Sequence, residues 1–168
     1  MRTFLPLIFG NLEELTMKLT TKGRYAVNAL LDLALHDNKK PVQLADVAER
    51  QNISLTYLEQ LFSKLKRHGL VSSSRGPGGG YRLALEADEI SIAKIIYSVD
   101  ETIDITRCHG KQNCQKDQRC LTHDLWMELN MHVSSFLNGI TLFDLIQRNN
   151  VKHVAQKQDF AFVQIHKH

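Results

Sequence analysis

Long apolar stretches are missing from this sequence, and no segment approaches the roughly 20 apolar residues that a transmembrane helix needs. A short apolar run from Phe4 to Phe9 is shorter than the core of a signal peptide, and no small-residue cleavage site follows it. We therefore expect neither a membrane span nor an export signal. We interpret residues 1–16 as an N-terminal extension or a mis-assigned start ahead of Met17.

Cysteine is scarce as well, because the chain has only three and all of them lie between Cys108 and Cys120. A secreted disulfide-rich domain needs several paired cysteines along its length, so this class of protein is excluded. Thiols gathered in one short interval are typical of metal ligands or reactive groups in a reducing compartment. We expect a cytoplasmic protein.

Enzyme signatures are also missing. The glycine-rich segment from Gly76 to Gly80 lacks the Gly-Lys-Ser/Thr ending of a phosphate-binding P-loop, and it leads into a predicted strand rather than a helix. The sequence offers no nucleophile and base in a recognisable spacing, no paired-carboxylate motif and no cofactor fingerprint. We predict that the protein is not an enzyme.

A local excess of positive charge is present instead. Residues 17–85 carry eleven Lys/Arg against five Asp/Glu, a net charge of +6, although the whole chain has a net charge of only +3. Residues 86–168 have a net charge of −2. Because a polyanion responds to local charge, the first half of the chain is the candidate nucleic-acid-binding region.

Three amphipathic helices are predicted in this basic half. The first spans Thr21–His36, a short second helix begins near Leu44 and ends before Asn52, and Ser54 or Thr56 caps a third. The residues expected to face the core are Val27, Leu30, Leu31, Ala34 and Leu35 in the first helix, and Leu58, Leu61, Phe62 and Leu65 in the third. Two short helices joined by a tight turn predict a helix-turn-helix.

A β-hairpin is predicted directly after the third helix. The apolar residues Leu70 and Val71 precede the Ser- and Gly-rich segment 72–80, and alternating apolar residues begin again at Tyr81. A hairpin after a candidate recognition helix predicts a winged helix-turn-helix. The predicted fold class is accordingly mainly α with a small β-hairpin wing.

The polar residues at the start of the third helix are candidates for DNA contact. Ser54, Thr56, Tyr57 and Gln60 have the hydroxyl and amide groups that reach base edges in a major groove. At the wing tip, Arg75 is the candidate for a minor groove, where negative potential is highest. The alternative interpretation of these residues is an ordinary solvated helix face.

The second half of the chain is predicted to be helical around one irregular loop. A fourth helix, capped at Ser91, completes a winged helix-turn-helix domain over residues 17–100. Residues 101–120 form a polar loop, and within 121–148 an apolar stripe from Leu121 to Leu137 predicts a long dimerisation helix followed by a short one. Residues 149–168 are expected to form a disordered tail.

Four potential metal ligands lie in this loop and just after it. Cys108, Cys114, Cys120 and His123 have the spacing C-x5-C-x5-C-x2-H. Thiolates and an imidazole suit zinc or an iron–sulfur cluster, and the wide spacing of the cysteines leaves both open. The predicted alternatives are a cluster-sensing regulator and a zinc-stabilised or thiol-redox-sensing repressor.

Three segments resemble the IscR family of iron–sulfur cluster regulators. They read KLTTKGRYAVNALLDLAL, LADVAERQNISLTYLEQLFSKLKRHGLVSSSRGPGGGY and CHGKQNCQKDQRCLTHDLW, and the resemblance extends from Met17 to about Gln147. The block from Ile53 to Tyr81 and the Cys/His spacing are the most specific parts. Thr56 stands where the family pattern has serine, and residues 1–16 have no counterpart.

The resemblance implies a homodimeric winged-helix transcription regulator that binds double-stranded DNA operators. It implies one 2Fe-2S cluster per subunit, held by Cys108, Cys114, Cys120 and His123 and supplied by the iron–sulfur cluster assembly machinery. The cluster-loaded form would repress the genes of that machinery, and the cluster-free form would act at a second class of sites. The positions that match the family's DNA contacts are Ser54, Thr56, Tyr57, Glu59, Gln60 and Arg75.

Glu59 is an acidic residue on a helix that is expected to face DNA, and two interpretations of it remain open. It can form a capping box with Thr56, three residues earlier, and so stabilise the helix. Alternatively, it discriminates between DNA sites, because a carboxylate accepts a hydrogen bond from cytosine but is repelled by phosphate. In the second case Glu59 keeps the cluster-free protein off one class of sites.

Overall fold

The computed structural model describes residues 21–37, 40–106 and 108–166. The predicted extension 1–16 and the start at Met17 lie outside these residues. Within the described ranges the regular structure comprises seven α-helices, one hairpin and a short 3₁₀ helix, Ala87–Glu89. The helices are α1 (Thr21–His36), α2 (Leu44–Gln51), α3 (Leu55–Arg67), α4 (Ile92–Ser98), α5 (His123–Asn138), α6 (Leu142–Gln147) and α7 (Asn149–Ile165), and the strands are β1 (Val71–Ser74) and β2 (Gly80–Leu83).

The inward face of α1 is rotated from the predicted face. Its apolar core residues are Ala26, Ala29, Leu30 and Leu33, whereas Val27, Leu31, Ala34 and Leu35 are only partly buried. The small alanines let α1 lie close to α2 and α4, which pack against it. Leu30 is confirmed as a core residue, and Val27, Leu31 and Ala34 pack against the core from one side, so of the five predicted residues only Leu35 has no place in it. The prediction missed the centre of the face because it gave weight to the larger side chains.

The inward face of α3 is the predicted one. Leu58, Leu61, Phe62 and Leu65 are all buried in the same core as α1 and α4. The ring of Phe62 also packs edge-on against Tyr81 in β2, with 5.0 Å between ring centres. This contact ties the hairpin to the helix that precedes it.

The hairpin pairs in the register Val71↔Leu83 to Ser74↔Gly80. Near the start of β2 it is joined to the segment before α2, where Val42 and Tyr81 exchange two backbone hydrogen bonds of 2.9 and 2.8 Å. A Cβ atom at Gly80 would lie 2.5 Å from the carbonyl oxygen of Val42, so this close approach requires glycine. The wing is therefore part of the domain's core structure and its tip alone projects from it.

The C-terminal tail is a correction to the sequence-based expectation. Residues 149–168 are predicted to be disordered, but the structure has the helix α7 from Asn149 to Ile165. Contacts with α1 and α2 hold it: a ring nitrogen of His36 lies 2.8 Å from a carboxylate oxygen of Asp159, and Gln51 donates to Gln158 at 3.1 Å. Such polar tertiary contacts leave no periodic apolar pattern in the sequence, so periodicity does not predict the helix.

None of the helices in the described residues combines the length and the apolar character that crossing a lipid bilayer requires.

Candidate metal centre and DNA-binding face

The segment between α4 and α5 contains most of the predicted metal ligands and is fixed mainly by polar contacts. One carboxylate oxygen of Asp104 accepts hydrogen bonds from the amide and the hydroxyl of Thr106, both at 2.7 Å. The amide of Ile105 donates to the side-chain oxygen of Asn130 in α5 at 3.0 Å. The bond to Asn130 places the residues just before Cys108 against the middle of α5, the helix that begins at His123.

Three of the four predicted ligands converge in the structure. The sulfur of Cys114 lies 3.2 Å from Nδ1 of His123, and the sulfur of Cys108 lies 3.6 Å from the same nitrogen. The ligand atoms of Cys108, Cys114 and His123 all lie within 4.8 Å of one another. Cys108 and His123 are buried, while Cys114 is partly exposed. Two thiols and an imidazole in this arrangement form a group that can hold a metal.

Cys120, the fourth predicted ligand, lies outside this three-residue group but lines the same cavity. The cavity has a volume of about 350 Å³, and its walls are Thr106, Cys108, Cys114, Gln115, Cys120, His123 and Trp126. A single tetrahedral zinc ion would hold sulfur ligands only about 3.8 Å apart, given a Zn–S bond of about 2.3 Å. With Cys120 included, the donors suit a group larger than one ion.

The hydrogen bonds around the three thiols shift their pKa values in different directions. Burial raises the pKa of Cys108, but hydrogen bonds from Cys114 and from backbone groups outweigh it and lower the pKa. At Cys120, burial again opposes the thiolate, and hydrogen bonds with Cys114 and Thr122 lower the pKa overall. At Cys114 the backbone hydrogen bond of Cys120 favours the thiolate, yet burial and the neighbouring thiols together raise the pKa. Thiolate formation is therefore favoured at the two outer cysteines.

Several residues around the metal centre have a left-handed backbone conformation. Four non-glycine residues, His109, Gln112, Lys116 and Asp117, have φ angles between 44° and 60°, which is the left-handed region. Asn52 and Asp100 are the other two such residues in the described ranges. Lys116 and Asp117 are the central residues of a tight turn that two backbone hydrogen bonds between Gln115 and Gln118, of 3.0 and 2.8 Å, close. His109 and Gln112 adopt this disfavoured conformation elsewhere in the loop.

The predicted DNA-binding residues lie on one side of the helix-turn-helix. Ser54, Thr56, Glu59 and Gln60 are exposed at the start of α3, and Arg75 is exposed at the wing tip. Tyr57 is instead half-buried, because its ring packs edge-on against Tyr25 of α1 with 6.0 Å between ring centres.

A hydrogen bond of 2.6 Å from Lys66 to the hydroxyl of Ser73 joins α3 to β1. At the other end of α3, Glu59 and the wing glycines Gly76 and Gly79 line one groove, so the start of the helix lies beside the wing.

The capping-box interpretation of Glu59 is wrong. The helix begins at Leu55, so Ser54 occupies the N-cap position and Thr56 already lies inside the first turn. Glu59 instead lines a groove of about 420 Å³ between the start of α2, the start of α3 and the glycines of the wing. Its carboxylate is thus placed on the surface that is expected to meet DNA.

Sequence reasoning missed several residues of the metal cavity. Thr106 and Gln115 carry no pattern that marks them as cavity residues. Trp126 could have been found, because it lies three residues after His123 and therefore on the same face of α5.

The sequence profile of the Rrf2 family, whose members are described as iron-dependent transcriptional regulators, matches residues 19–148. The chain belongs to the Rrf2 family. The HTH-type transcriptional regulator IscR of Vibrio atlanticus is 59% identical over 143 residues, covering 85% of this chain and 83% of the relative. IscR of Photobacterium profundum is 57% identical over 143 residues with the same coverage.

Solved structures agree with this assignment. CymR, the global cysteine regulator of B. subtilis, aligns with a TM-score of 0.69 and 34% identity over 78% of this chain and 97% of its own. The IscR structure from T. potens aligns with a TM-score of 0.65 and 38% identity over 77% of this chain and 86% of its own. The predictions of a winged-helix fold, a DNA-binding transcription regulator and a protein that is not an enzyme are confirmed.

Proposed function

We propose that this Rrf2 regulator senses iron–sulfur supply through a 2Fe-2S cluster, one per subunit, on Cys108, Cys114, Cys120 and His123. The observation that carries the proposal is that all four side chains line one cavity of a DNA-binding regulator, three of them with ligand atoms within 4.8 Å. Relatives that are 59% identical are named IscR. When bound, the cluster would supply a redox-active group that is lost when iron or sulfide is scarce.

The chain's own residues account for a cluster that can be lost. Cys108 and His123 are buried, whereas Cys114 and Cys120 are partly exposed, so the cavity has one protected wall and one open wall. An imidazole is neutral and can be protonated, so it anchors iron less firmly than a thiolate does. Occupancy of the site then reports cluster supply from the assembly machinery in the cytoplasm.

The DNA partner is a double-stranded operator bound by Ser54, Thr56, Tyr57, Glu59, Gln60 and Arg75. Helix α3 would lie in the major groove and the wing tip would lie along the minor groove. Regulation follows from the two states, in which the loaded form represses cluster-assembly genes and the cluster-free form acts at other promoters. The exposure of five of these six residues supports the assignment.

A homodimer is the proposed assembly, because α5 has two different apolar faces. Val133 and Leu137 pack against the chain's own core, whereas Leu125 and Phe136 point outward and are 57% and 64% exposed. Leu125, Leu129 and Phe136 are four and seven residues apart, so they lie on the same side of α5. Two copies that pair through this face would present two recognition helices to a two-fold operator.

Anaerobic purification followed by an absorption spectrum and assays for iron and acid-labile sulfide tests the cluster. We expect two iron and two sulfide per chain, and their loss in a variant with Cys108, Cys114 and Cys120 all replaced by alanine. Stoichiometric zinc without sulfide would replace the proposal with a structural zinc site. Metal-free protein whose operator affinity changes on thiol oxidation would replace it with a thiol-redox switch.

A further inference from the structure

Asp100 and Glu101 are two consecutive acidic residues near the start of the segment between α4 and α5, which leads from the DNA-binding domain to the metal centre. Asp100 follows Val99, the residue that caps the C-terminus of α4, and has a left-handed backbone, with a φ of 57°. Its carboxylate lies 2.6 Å from the ammonium group of Lys64, in the C-terminal half of the recognition helix α3. This ion pair joins the start of the segment to the element that reads DNA.

Glu101 makes a second contact with the same domain. Its carboxylate accepts a hydrogen bond of 3.0 Å from the amide of Gly23, in the first turn of α1. A Cβ atom at Gly23 would lie only 2.7 Å from that carboxylate oxygen. Glycine at this position therefore leaves room for the Glu101 carboxylate to reach the helix.

The segment continues from these contacts directly to the metal centre. Ile103 is buried in the core of the DNA-binding domain, and Thr106 lines the metal cavity beside Cys108. Among the described residues, no helix or strand intervenes between α4 and α5. Only this short stretch separates the loop around Cys108 from Glu101 and Asp100. A rearrangement of the loop would therefore shift both residues.

We propose that Asp100 and Glu101 are positioning residues that transmit the state of the metal centre to the DNA-binding domain, Asp100 through Lys64 of α3 and Glu101 through Gly23 of α1. This inference rests on the proposed function, because it requires that occupancy of the metal centre changes DNA affinity. A difference in loop structure between the two states then shifts the recognition helix against α1 and alters how its exposed side chains meet the groove.

Three variants separate this role from a purely structural one. Asp100→Asn removes the charge that attracts Lys64, and Glu101→Ala removes the acceptor for Gly23. Gly23→Ala displaces the Glu101 carboxylate while leaving the acid in place, and a helical alanine does not by itself destabilise α1. The matched control is Asp159→Asn, which makes the same chemical change at a contact between α7 and His36 of α1, away from the segment.

The measurement is operator affinity at fixed salt, with a duplex selected by the wild-type protein from a random-sequence pool. Each protein is titrated after anaerobic reconstitution with ferrous iron and sulfide, and again without reconstitution. Hydrogen exchange of the cluster-free proteins supplies a second readout that does not depend on the cluster. Thermal melting by circular dichroism confirms that each variant is folded.

We expect the wild type and Asp159→Asn to show an affinity ratio of about fivefold or more between the two states. The ratio should fall to within about twofold in Asp100→Asn, Glu101→Ala and Gly23→Ala. Without the cluster, exchange should rise in α3 and in the first turn of α1 for these three variants, and should be unchanged in the control.

Two other results would overturn the inference. If the wild type keeps its ratio and all three segment variants keep it too, transmission runs elsewhere and the proposed function stands. If the wild type takes up iron and sulfide yet binds the operator equally in both states, the inference and the sensing function both fail.

Discussion

The DNA-binding domain and the metal loop are held in place by different kinds of interaction. The domain has a continuous apolar core in which Leu30, Leu58, Phe62 and Ile95 are fully or almost fully buried. In the loop between α4 and α5 the buried residues are few, and backbone-to-side-chain hydrogen bonds and left-handed residues shape it. The domain is thus held mainly by apolar packing and the loop mainly by polar contacts. This contrast would suit the sensing role proposed above, because the loop could change without unfolding the domain.

The largest expected effect is on stability, from a substitution in the core of the DNA-binding domain. Phe62→Ala should lower the free energy of unfolding by about 3–5 kcal/mol, because it leaves a cavity in the core and removes the contact with Tyr81. Urea titration of the cluster-free protein followed by circular dichroism measures this loss. A matched change on the surface, Phe160→Ala in α7, should cost less than about 1 kcal/mol. Equal losses in the two variants would contradict the conclusion that the apolar core stabilises the DNA-binding domain.

A substitution on the outward face of α5 should have the next largest effect, on the association state and on operator affinity. Leu125→Glu should produce a monomer with operator affinity reduced roughly tenfold or more, since a buried unpaired charge in an interface costs several kcal/mol. Sedimentation velocity at micromolar concentration measures the association state. Val163→Glu, at an exposed apolar position of α7, is the control and should leave the association state unchanged. A monomeric wild type would refute the dimer.

The loop should tolerate loss of its thiols. A variant with Cys108, Cys114 and Cys120 replaced by alanine should differ from the cluster-free wild type by about 1 kcal/mol or less in unfolding free energy, because the core does not include most of these side chains. It should be colourless and should still bind DNA. Unfolding of this variant at room temperature would show that the fold of the DNA-binding domain depends on the thiols of the loop, which would contradict this expectation.

Glu59 gives the smallest effect on stability and the sharpest effect on recognition. Glu59→Ala should change the unfolding free energy by no more than about 0.5 kcal/mol, because the exposed carboxylate caps no helix. In the cysteine-free protein it should allow binding to sites that otherwise require the cluster. Duplexes selected separately by the loaded and the cluster-free protein provide the two classes of site.

Glu49→Ala on α2 is the control for this experiment, since it removes an acid that contacts His166 rather than the groove. Titrations at fixed salt should show a changed preference in the Glu59 variant alone. Unchanged relative affinities for the two classes would eliminate the discriminator role.

The winged-helix domain could be predicted well from the sequence because its signals are local. Helix caps, the break at Asn52 and the apolar spacing of α3 each leave a mark within a few residues. The inward face of α1 could not be predicted in the same way, because alanines are buried there for close helix packing rather than for their size. The helix α7 was missed for a related reason, since its contacts with α1 and α2 are polar and distant in sequence.

In the metal centre, too, some features have a local sequence signal and others depend on the tertiary structure. Spacing alone identified four residues that the structure places around one cavity, because three cysteines rarely fall within so short an interval by chance. Spacing could not identify Thr106, nor could it show that Cys120 lies outside the group formed by the other three. Those features depend on how the loop folds back against α5, which no local pattern specifies.

The left-handed residues of the loop have a consequence for the sensitivity of the regulator. A non-glycine residue in this conformation costs on the order of 1 kcal/mol, so these residues raise the free energy of the loop conformation that brings the ligands together. Since about 1.4 kcal/mol corresponds to a tenfold change in a dissociation constant, this cost would, under the proposed function, raise the cluster supply at which the sites fill. Exchanging Lys116 or Asp117 for glycine would lower that threshold without altering a ligand or a DNA contact. Under the proposed function, the response range of the regulator would thus be adjusted by residues that contact neither the cluster nor the DNA.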